Sequence, residues 1–350
     1  MTLEFRLSPW ESERSFPYPR ASLSVSLDNV TGYVYLLGGY SYDGNEVTNY
    51  DKVHFAQLTP QGNLDWRETT PLPSGRSGSG SVIHNGRIYV VGGTDGNILD
   101  DVLHAQIDNG DHSVGEWTSN ANRLTVPRSN IGLQVVKTSD TVYYLAAIAG
   151  VTPSGQDYDA LDSVEVALIN SADGTVGEWT LCPNRFQNGR SAPATFVQDN
   201  KLYVLGGLGP YVDGETTIYE DIQWAELGTE GCPEPWQSNP NSLIEPIFAH
   251  TVEVSLLLLR PIAIVLGGDK GGGEYLDEAQ LAAVQQDGDI GEFEKSDERF
   301  ANPRWGHGSV LYENRLYIFG GKGMGANDFF LDDVQFSDLR ATIPFASAST

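Results

Sequence analysis

The stretch "SGSVIHNGRIYVVGG", residues 79–93, holds two apolar runs separated by a short polar turn. Asn85-Gly86 at the centre is a strong short-range signal for a β-hairpin. The second run ends in Gly92-Gly93, and glycine at the end of a strand favours a sharp bend or a close approach of two backbones. The stretch therefore predicts two antiparallel strands that end in a glycine pair.

The same pattern recurs along the chain. Further copies end in "YLLGGY", "YVLGGL", "IVLGGD" and "YIFGGK", and a degenerate copy, "YYLAAI", places Ala146-Ala147 in the remaining gap. The first residues of the six pairs are then spaced by 54, 54, 60, 61 and 53 residues. Self-similarity at a nearly constant period indicates an array of supersecondary units.

Each copy carries three further landmarks in the same order: an arginine before the pair, an acidic residue after it, and an aromatic residue last. The arginines are Arg20, Arg76, Arg128, Arg190 and Arg304, with Ile247 in the fifth copy. The acidic residues are Asp51, Asp100, Asp162, Glu220, Asp277 and Asp332. The aromatic residues are Trp66, Trp117, Trp179, Trp236 and Phe293. We predict four strands per copy, and sheets this small must stack on one another.

Four-stranded sheets repeated around an axis form a β-propeller. The order of arginine, hairpin, glycine pair, Asp-x-Val and tryptophan resembles the kelch motif, whose repeat is about 50 residues. The resemblance covers residues 20–339 plus Trp10. It implies an all-β, six-bladed propeller as one domain over residues 1–340, followed by a flexible tail over 341–350. The departures from the motif are Ala146-Ala147, Ile247 and Phe293.

Trp10 has a specific place in this scheme. The sixth copy ends in "FLDDVQFSDL" without an aromatic residue of its own, and Trp10 lies ten residues before Arg20. That spacing is close to the distance between the other aromatic residues and the next arginine position. We therefore predict that the segment around Trp10 is the outer strand of the last blade, so that the two ends of the chain close the ring and remove its open edges.

The composition narrows the possible partners. The formal net charge is −26, from 47 acidic and 21 basic residues. Such a surface repels phosphate backbones and anionic membranes, so we expect neither nucleic acid nor a membrane as a partner. The charge indicates either a solubility device or a patch that binds cations. No apolar run reaches the roughly 18 residues that span a bilayer.

Two features of the sequence bear on the cellular location. The N-terminus lacks the basic start and apolar stretch of a signal peptide. Cys182 and Cys232 are too few for a disulfide framework. We expect a cytoplasmic monomer, with a secreted mature form as the alternative.

The connections between second and third strands, and between blades, are long and unlike one another. Irregular loops on a rigid scaffold are where binding residues usually lie. We therefore expect the ligand site on this loop-rich face, around the mouth of the central channel, whereas the short turns of the other face are structural. The candidate ligand-binding residues are Arg76, Arg190, Arg304, Trp305, Tyr40, Tyr211 and Phe329.

The arginine and acidic columns predict structural ion pairs, with some arginines left over to hold an anionic ligand. His250 and His307 lie three residues after the arginine position. Histidine transfers protons readily near neutral pH, so both are candidate catalytic residues. The alternative is that the two histidines pack in the blades and form hydrogen bonds with the backbone, as the resemblance to the kelch pattern implies. No zinc-type cluster or complete calcium loop occurs, so we expect no metal and no cofactor.

Two functions remain open, and a third is disfavoured. The first is a non-enzymatic module that binds a small molecule or a protein. The second is a metal-independent enzyme, an isomerase, epimerase or cyclase similar to the kelch sialic-acid epimerases, acting on an anionic or sugar-like substrate. A lectin would need several equivalent sites, which the unlike loops argue against. Unpaired arginine and histidine converging in a deep cavity would favour the enzyme, and arginines that are all paired would favour the binding module.

Overall fold

The computed structural model describes residues 4–60, 62–155, 157–212, 214–256, 260–324 and 329–342. These residues form β-strands, turns and loops. Within those ranges we find no helix that is long and apolar enough to cross a membrane.

Six antiparallel sheets form the blades, which we number 1–6, and two extra hairpins form separate two-stranded sheets. The chain starts with β1 (Glu4–Leu7) and β2 (Glu11–Glu13). Blade 1 contains β3 (Ser24–Asp28), β4 (Tyr33–Leu37), the extra hairpin β5 (Tyr40–Tyr42) and β6 (Val47–Asn49), then β7 (Val53–Gln57) and β8 (Arg67–Glu68). Blade 2 contains β9 (Gly80–His84), β10 (Arg87–Val91), β11 (Val102–Gln106) and β12 (Thr118–Ser119).

The remaining blades follow the same order. Blade 3 contains β13 (Gly132–Lys137), β14 (Tyr143–Ile148), the extra hairpin β15 (Val151–Ser154) and β16 (Asp157–Ala160), then β17 (Val164–Leu168) and β18 (Thr180–Leu181). Blade 4 contains β19 (Ala194–Gln198), β20 (Lys201–Val212), β21 (Glu215–Glu226) and β22 (Gln237–Ser238). Blade 5 contains β23 (Thr251–Ser255), β24 (Ile262–Leu266), β25 (Glu278–Ala283) and β26 (Glu294–Arg299). Blade 6 contains β27 (Arg304–Trp305), β28 (Gly308–Tyr312), β29 (Arg315–Gly323) and β30 (Phe330–Thr342).

The N-terminal strands complete blade 6. Both β1 and β2 pair antiparallel with β30, and Glu11 lies opposite Phe336. The ring of Trp10 packs edge-on against Phe300, with the ring centroids 5.4 Å apart. The first strands of neighbouring blades lie side by side around the channel, and β28 of blade 6 lies beside β3 of blade 1. The predicted six-bladed all-β ring and its closure through the Trp10 segment are confirmed.

The C-terminal boundary differs slightly from the expectation. Strand β30 runs to Thr342 and pairs with β1 over its last residues, including Ala341 opposite Phe5. Residues 341 and 342 are therefore part of blade 6, and the rest of the predicted tail, 343–350, lies outside the described residues.

Six apolar clusters hold the ring together, one between each pair of neighbouring blades. The aromatic residue that recurs in each copy lies immediately before the fourth strand and packs in the cluster shared with the preceding blade. Trp117 of blade 2, for example, donates its indole N–H to the carbonyl of Thr70 in blade 1 at 3.1 Å. A four-stranded sheet therefore buries its second face only because the next blade covers it.

The third glycine pair is not where the repeat spacing placed it. Ala146 and Ala147 lie inside β14, and the pair equivalent to Gly92-Gly93 is Ala149-Gly150. Ala149 has φ 59° and Gly150 has φ 99°, against 60° and 94° for Gly92 and Gly93. The corrected spacings are 54, 57, 57, 61 and 53 residues. The prediction was wrong by three residues because two small apolar pairs follow one another, and only the backbone conformation tells them apart.

The second residue of each pair is glycine in all six blades, and its amide ties one blade to the next. We call these six bonds the glycine ring. Each amide N–H donates, at 2.8–3.0 Å, to the carbonyl at the arginine position of the following blade. The pairs are Gly39 to Arg76, Gly93 to Arg128, Gly150 to Arg190, Gly207 to Ile247, Gly268 to Arg304 and Gly321 to Arg20.

A second ring runs in the opposite direction. Two residues after each arginine position, the amide N–H donates at 2.7–2.9 Å to the carbonyl of the equivalent residue in the preceding blade. The six members of this channel-mouth ring are Ser22, Gly78, Asn130, Ala192, Ala249 and Gly306, and all have φ between 48° and 61°. The ring closes on itself, because Ser22 donates to Gly306.

One covalent bond also crosses between blades. Cys182, directly after β18 of blade 3, forms a disulfide with Cys232, which precedes β22 of blade 4; the two Cα atoms are 5.5 Å apart. The two cysteines thus form a single cross-link between neighbouring blades.

We predict that removal of residues 1–14 lowers the melting temperature by more than about 5 °C, because blade 6 loses its outer strands and Trp10. Trp10→Ala should cause part of that loss, about 2 kcal/mol. Val30→Ala is the control, since Val30 is 92% exposed. Thermal unfolding followed by circular dichroism measures all three, and an unchanged melting temperature for the truncated chain would contradict ring closure by this segment.

We predict that Gly150→Ala destabilises the chain by about 2 kcal/mol more than Gly44→Ala. The two glycines have nearly the same φ, 99° and 97°. A Cβ on Gly150 would lie 2.6 Å from the carbonyl oxygen of Ser129, whereas a Cβ on Gly44 meets nothing within 4 Å. Urea unfolding of the two variants separates this clash from the shared backbone strain, and equal losses would refute the assignment of Gly150 to the glycine ring.

Candidate functional site

The arginine column is buried and tied to carboxylates. Four of the five guanidinium groups pair with an acidic side chain of the same blade: Arg76 with Asp101 at 2.6 Å, Arg128 with Glu165 at 2.5 Å, Arg190 with Asp221 at 3.0 Å and Arg304 with Asp333 at 2.7 Å. Each of these arginines also donates to the carbonyl of the first residue of its own glycine pair, at 2.9–3.2 Å. Every arginine in the column is at most 1% exposed.

The acidic partners are not those expected from the repeat. Asp100, Asp162 and Asp277 bind the outlying residues Arg123, Arg185 and Arg299. The carboxylate that pairs with the arginine column comes one residue later in blades 2, 4 and 6, and three residues later in blade 3. Successive residues of a strand face opposite sides, so a shift of one residue exchanges a carboxylate that faces an outlying arginine for one that faces the buried arginine column.

Two blades depart from the Arg–carboxylate pair. In blade 1, Arg20 lies 3.2 Å from Nδ1 of His54. Burial lowers the pKa of Arg20 to about 10, and burial together with the Arg20 charge lowers the pKa of His54 to about 4. In blade 5, Ile247 replaces the arginine, and the buried carboxylate of Glu278 is instead neutralised by Lys295 and Arg299 at 2.6 and 2.9 Å.

The candidate catalytic histidines are packed into the wall of the channel. His250 is 5% exposed and His307 is 4% exposed. A Cβ on Gly206 would come within 2.8 Å of His250 Cε1, and a Cβ on Gly267 would do the same to His307. Burial lowers the pKa of each imidazole to about 3, so both are neutral near pH 7. This geometry favours the packing role for them over proton transfer, and the catalytic role stays a prediction.

The channel itself is narrow and polar, with a volume of about 220 Å³. Besides His250 and His307, its lining includes the ionisable side chain of Glu253, which accepts a hydrogen bond from Ser309 Oγ at 2.6 Å. Desolvation raises the pKa of Glu253 to about 7. Throughout the part of the chain that the structure describes, no group of three or more His, Cys, Asp or Glu side chains could hold a metal ion.

A larger cavity lies on the loop-rich face. This cleft has a volume of about 740 Å³ and lies between the β15–β16 hairpin of blade 3 and the end of the β20–β21 hairpin of blade 4. Its floor includes Ser129, Asn130 and Ser191, which connect blades, and Thr94 and Ile98 of blade 2 also line it. Strands β16 and β20 lie side by side, so two hairpins from different blades form its walls.

The lining combines exposed tyrosines with acidic side chains. Tyr158 is 60% exposed and Tyr211 is 73% exposed. The charged residues of the lining are Asp157 and Asp159, and none of the described lining residues is basic. Large aromatic side chains that remain exposed to water are typical anchors for a partner.

Among the residues proposed from the sequence, the cleft contains Tyr211. Tyr40 packs edge-on against Phe330 at 5.3 Å, and Trp305 lies 5.8 Å from the Lys322 ammonium. Phe329 is 40% exposed. These residues lie on the other side of the loop-rich face, near blades 1 and 6. As ligand contacts, these residues and the three buried arginines stay predictions.

The sequence reasoning missed Asp157, Tyr158 and Asp159. They belong to "AAIAGVTPSGQDYDAL", one of the long connections between second and third strands. The available signal was the Asp-Tyr-Asp triplet itself, an aromatic residue between two carboxylates in a loop that needs neither for its turns.

We predict that Asp101→Asn destabilises the chain by about 3 kcal/mol, because it leaves the Arg76 charge buried without its carboxylate. The matched control is the neighbouring Asp100→Asn. Its pair with Arg123 is largely exposed, at 38% and 52% for the two side chains, so the loss should stay below about 1 kcal/mol. Urea unfolding measures both, and similar losses would contradict the assigned roles of the two aspartates.

Comparison with known proteins agrees with the repeat and the fold. The family model described as the Kelch motif matches residues 75–103. Alpha-scruin of Limulus polyphemus is 22% identical over 239 residues, which is 64% of this chain and 24% of that protein. Beta-scruin of the same organism is 28% identical over 190 residues, 50% of this chain and 18% of its own length.

A vertebrate relative shows a similar likeness: Kelch-like protein 40 of Mus musculus is 27% identical over 146 residues, 41% of this chain and 21% of that protein. The chain thus aligns with at most a quarter of the length of each of these relatives. The matched motif, the similar proteins and the ring of six four-stranded blades together support a kelch-repeat family for this chain, which folds as a six-bladed β-propeller.

Proposed function

We propose that the chain is a binding module that holds a segment of a protein partner in the cleft between blades 3 and 4. The observation that carries this proposal is the cleft of about 740 Å³ with Tyr158 and Tyr211 exposed in its walls. Kelch propellers typically bind proteins, which supports the same reading.

The charge arrangement of the scaffold also supports a binding role. The arginines at positions 76, 128, 190 and 304 each have a carboxylate partner. A guanidinium that is already paired and out of water has little left to offer an anionic substrate. The side chains that can contact a partner are therefore those of the projecting hairpins, which are not part of these Arg–carboxylate pairs.

The cleft, at about 740 Å³, is large enough to take a few side chains of a bound segment. Sites for compact ligands usually have volumes of about 300–1,000 Å³. Aromatic residues at the centre of an interface contribute a large share of binding energy, because they bury much area at a low cost in conformational entropy. Tyr158 and Tyr211 are placed for this role on two different blades, so a bound segment would contact both walls.

We propose no reaction for this site. The two channel-wall histidines have pKa values of about 3 and are packed against glycine backbone. The cleft itself contains two exposed aspartates and neither histidine nor lysine among its described lining residues. The enzyme hypothesis therefore gains no support from either cavity.

We predict that peptides selected from a displayed random library against the full chain bind at least about tenfold more weakly to a Tyr158→Ser/Tyr211→Ser variant. Tyr42→Ser is the matched control, because Tyr42 is a 50% exposed tyrosine on the extra hairpin of blade 1, outside the cleft. Binding is measured by fluorescence anisotropy with synthetic copies of the selected peptides. If the cleft variant binds every selected peptide as tightly as the original chain, the proposed site is refuted.

A further inference from the structure

We infer that the segment held in the cleft is an extended peptide rich in lysine or arginine. The inference rests on the proposed function, and it specifies the chemistry of the partner. Three observations carry it: the sign of the charges in the cleft, the absence of ion pairs to them, and the free strand edges beside them.

The charges of the cleft are of one sign. Asp157 and Asp159 are the charged residues among its described lining. The whole chain carries a net charge of −26, so the surrounding field reinforces these two carboxylates. An acidic segment would meet like charges, which disfavours it strongly, whereas a basic segment is attracted over a distance and held on contact.

The two carboxylates are also available. Elsewhere on the outer surface, Asp100, Asp162 and Asp277 are each engaged by an arginine. Within the described ranges, neither Asp157 nor Asp159 forms an ion pair, and both are exposed. A lysine or arginine of a partner would therefore not have to displace a side chain of this protein to reach them.

Aromatic side chains stand beside these carboxylates. Tyr158 lies between the two aspartates along β16 with its side chain on the other side of the strand, and Tyr211 is on the facing wall. A lysine ammonium or an arginine guanidinium is attracted to the face of a tyrosine ring, and the attraction adds to that of a nearby carboxylate. The scaffold uses the same contact internally, since Arg190 lies 4.6 Å from the ring centroid of Tyr219.

The backbone on both walls favours an extended segment. Strand β16 forms a two-stranded sheet with β15 alone, so one of its edges has no strand partner among the described residues. The far end of β20, residues 209–212, extends beyond its pairing with β19 and the bridge from Ser191 to Leu208, although Pro210 there offers only its C=O. Unpaired N–H and C=O groups on strand edges accept an added strand, and alternate side chains of that strand would then face the aspartates.

The test uses two pools of fluorescein-labelled random octapeptides with the full chain. The charged residues are only Lys and Arg in one pool and only Asp and Glu in the other. We expect the basic pool to bind and the acidic pool not to bind. Asp157→Asn/Asp159→Asn should weaken binding of the basic pool by about five- to tenfold, and raising the salt from 50 to 300 mM should weaken it further.

A control variant separates the cleft from the overall charge. Asp140→Asn/Glu313→Gln changes the net charge by the same amount, but these residues lie in turns between first and second strands, on the opposite face. We expect less than a twofold effect on the basic pool from this variant. Equal effects of the two double variants would show that the peptides bind to diffuse negative charge, and would overturn the inference.

The outcomes also separate this inference from the proposed function. Selected peptides that depend on Tyr158 and Tyr211 but have no excess of Lys and Arg would overturn the inference and leave the binding site standing. Peptides whose binding is indifferent to both the tyrosine and the aspartate variants would overturn both. Melting curves of each variant confirm that a loss of binding does not come from unfolding.

Discussion

Two rings of backbone hydrogen bonds that run in opposite directions hold the propeller together. In the glycine ring an amide of each blade donates to the following blade, and in the channel-mouth ring an amide donates to the preceding blade. Each ring requires a positive φ at six positions, one in every blade. Glycine meets this requirement without strain, so it recurs in every copy of the glycine ring. Ser22, Asn130, Ala192 and Ala249 adopt the same region in the other ring, and the closed set of bonds holds them there.

The buried charges follow from the same geometry. The arginine whose carbonyl accepts from the glycine ring places its guanidinium between two blades, where an unpaired charge is costly. Blades 2, 3, 4 and 6 supply a carboxylate from the third strand. Blade 1 supplies only His54, and blade 5 omits the arginine altogether and neutralises Glu278 from its outer strand. Because these charges stabilise the scaffold, the groups that remain free to recognise a partner are those on the projecting hairpins.

The sequence predicted the features that each blade needs locally. The hairpin turns, the glycine pairs and the aromatic residue before each fourth strand appear at nearly constant intervals, and so the number of blades and the role of Trp10 could be inferred. The errors were local shifts of register. Ala146-Ala147 and Ala149-Gly150 are both small apolar pairs, and Asp100 and Asp101 are chemically identical. Only the φ angles and the side of the strand that each residue faces distinguish them.

By itself, the sequence determined the fold class, the count and order of the blades, and the way the ring closes, because each depends on contacts that every repeat makes in the same manner. The cleft and the Cys182–Cys232 cross-link were decided only by the tertiary structure. Both join parts of neighbouring blades that lie about fifty residues apart and that are not repeated elsewhere. The repeat pattern of the sequence does not determine the distance between one hairpin and the next. That distance follows from the angle between two packed blades and the conformation of their unlike loops.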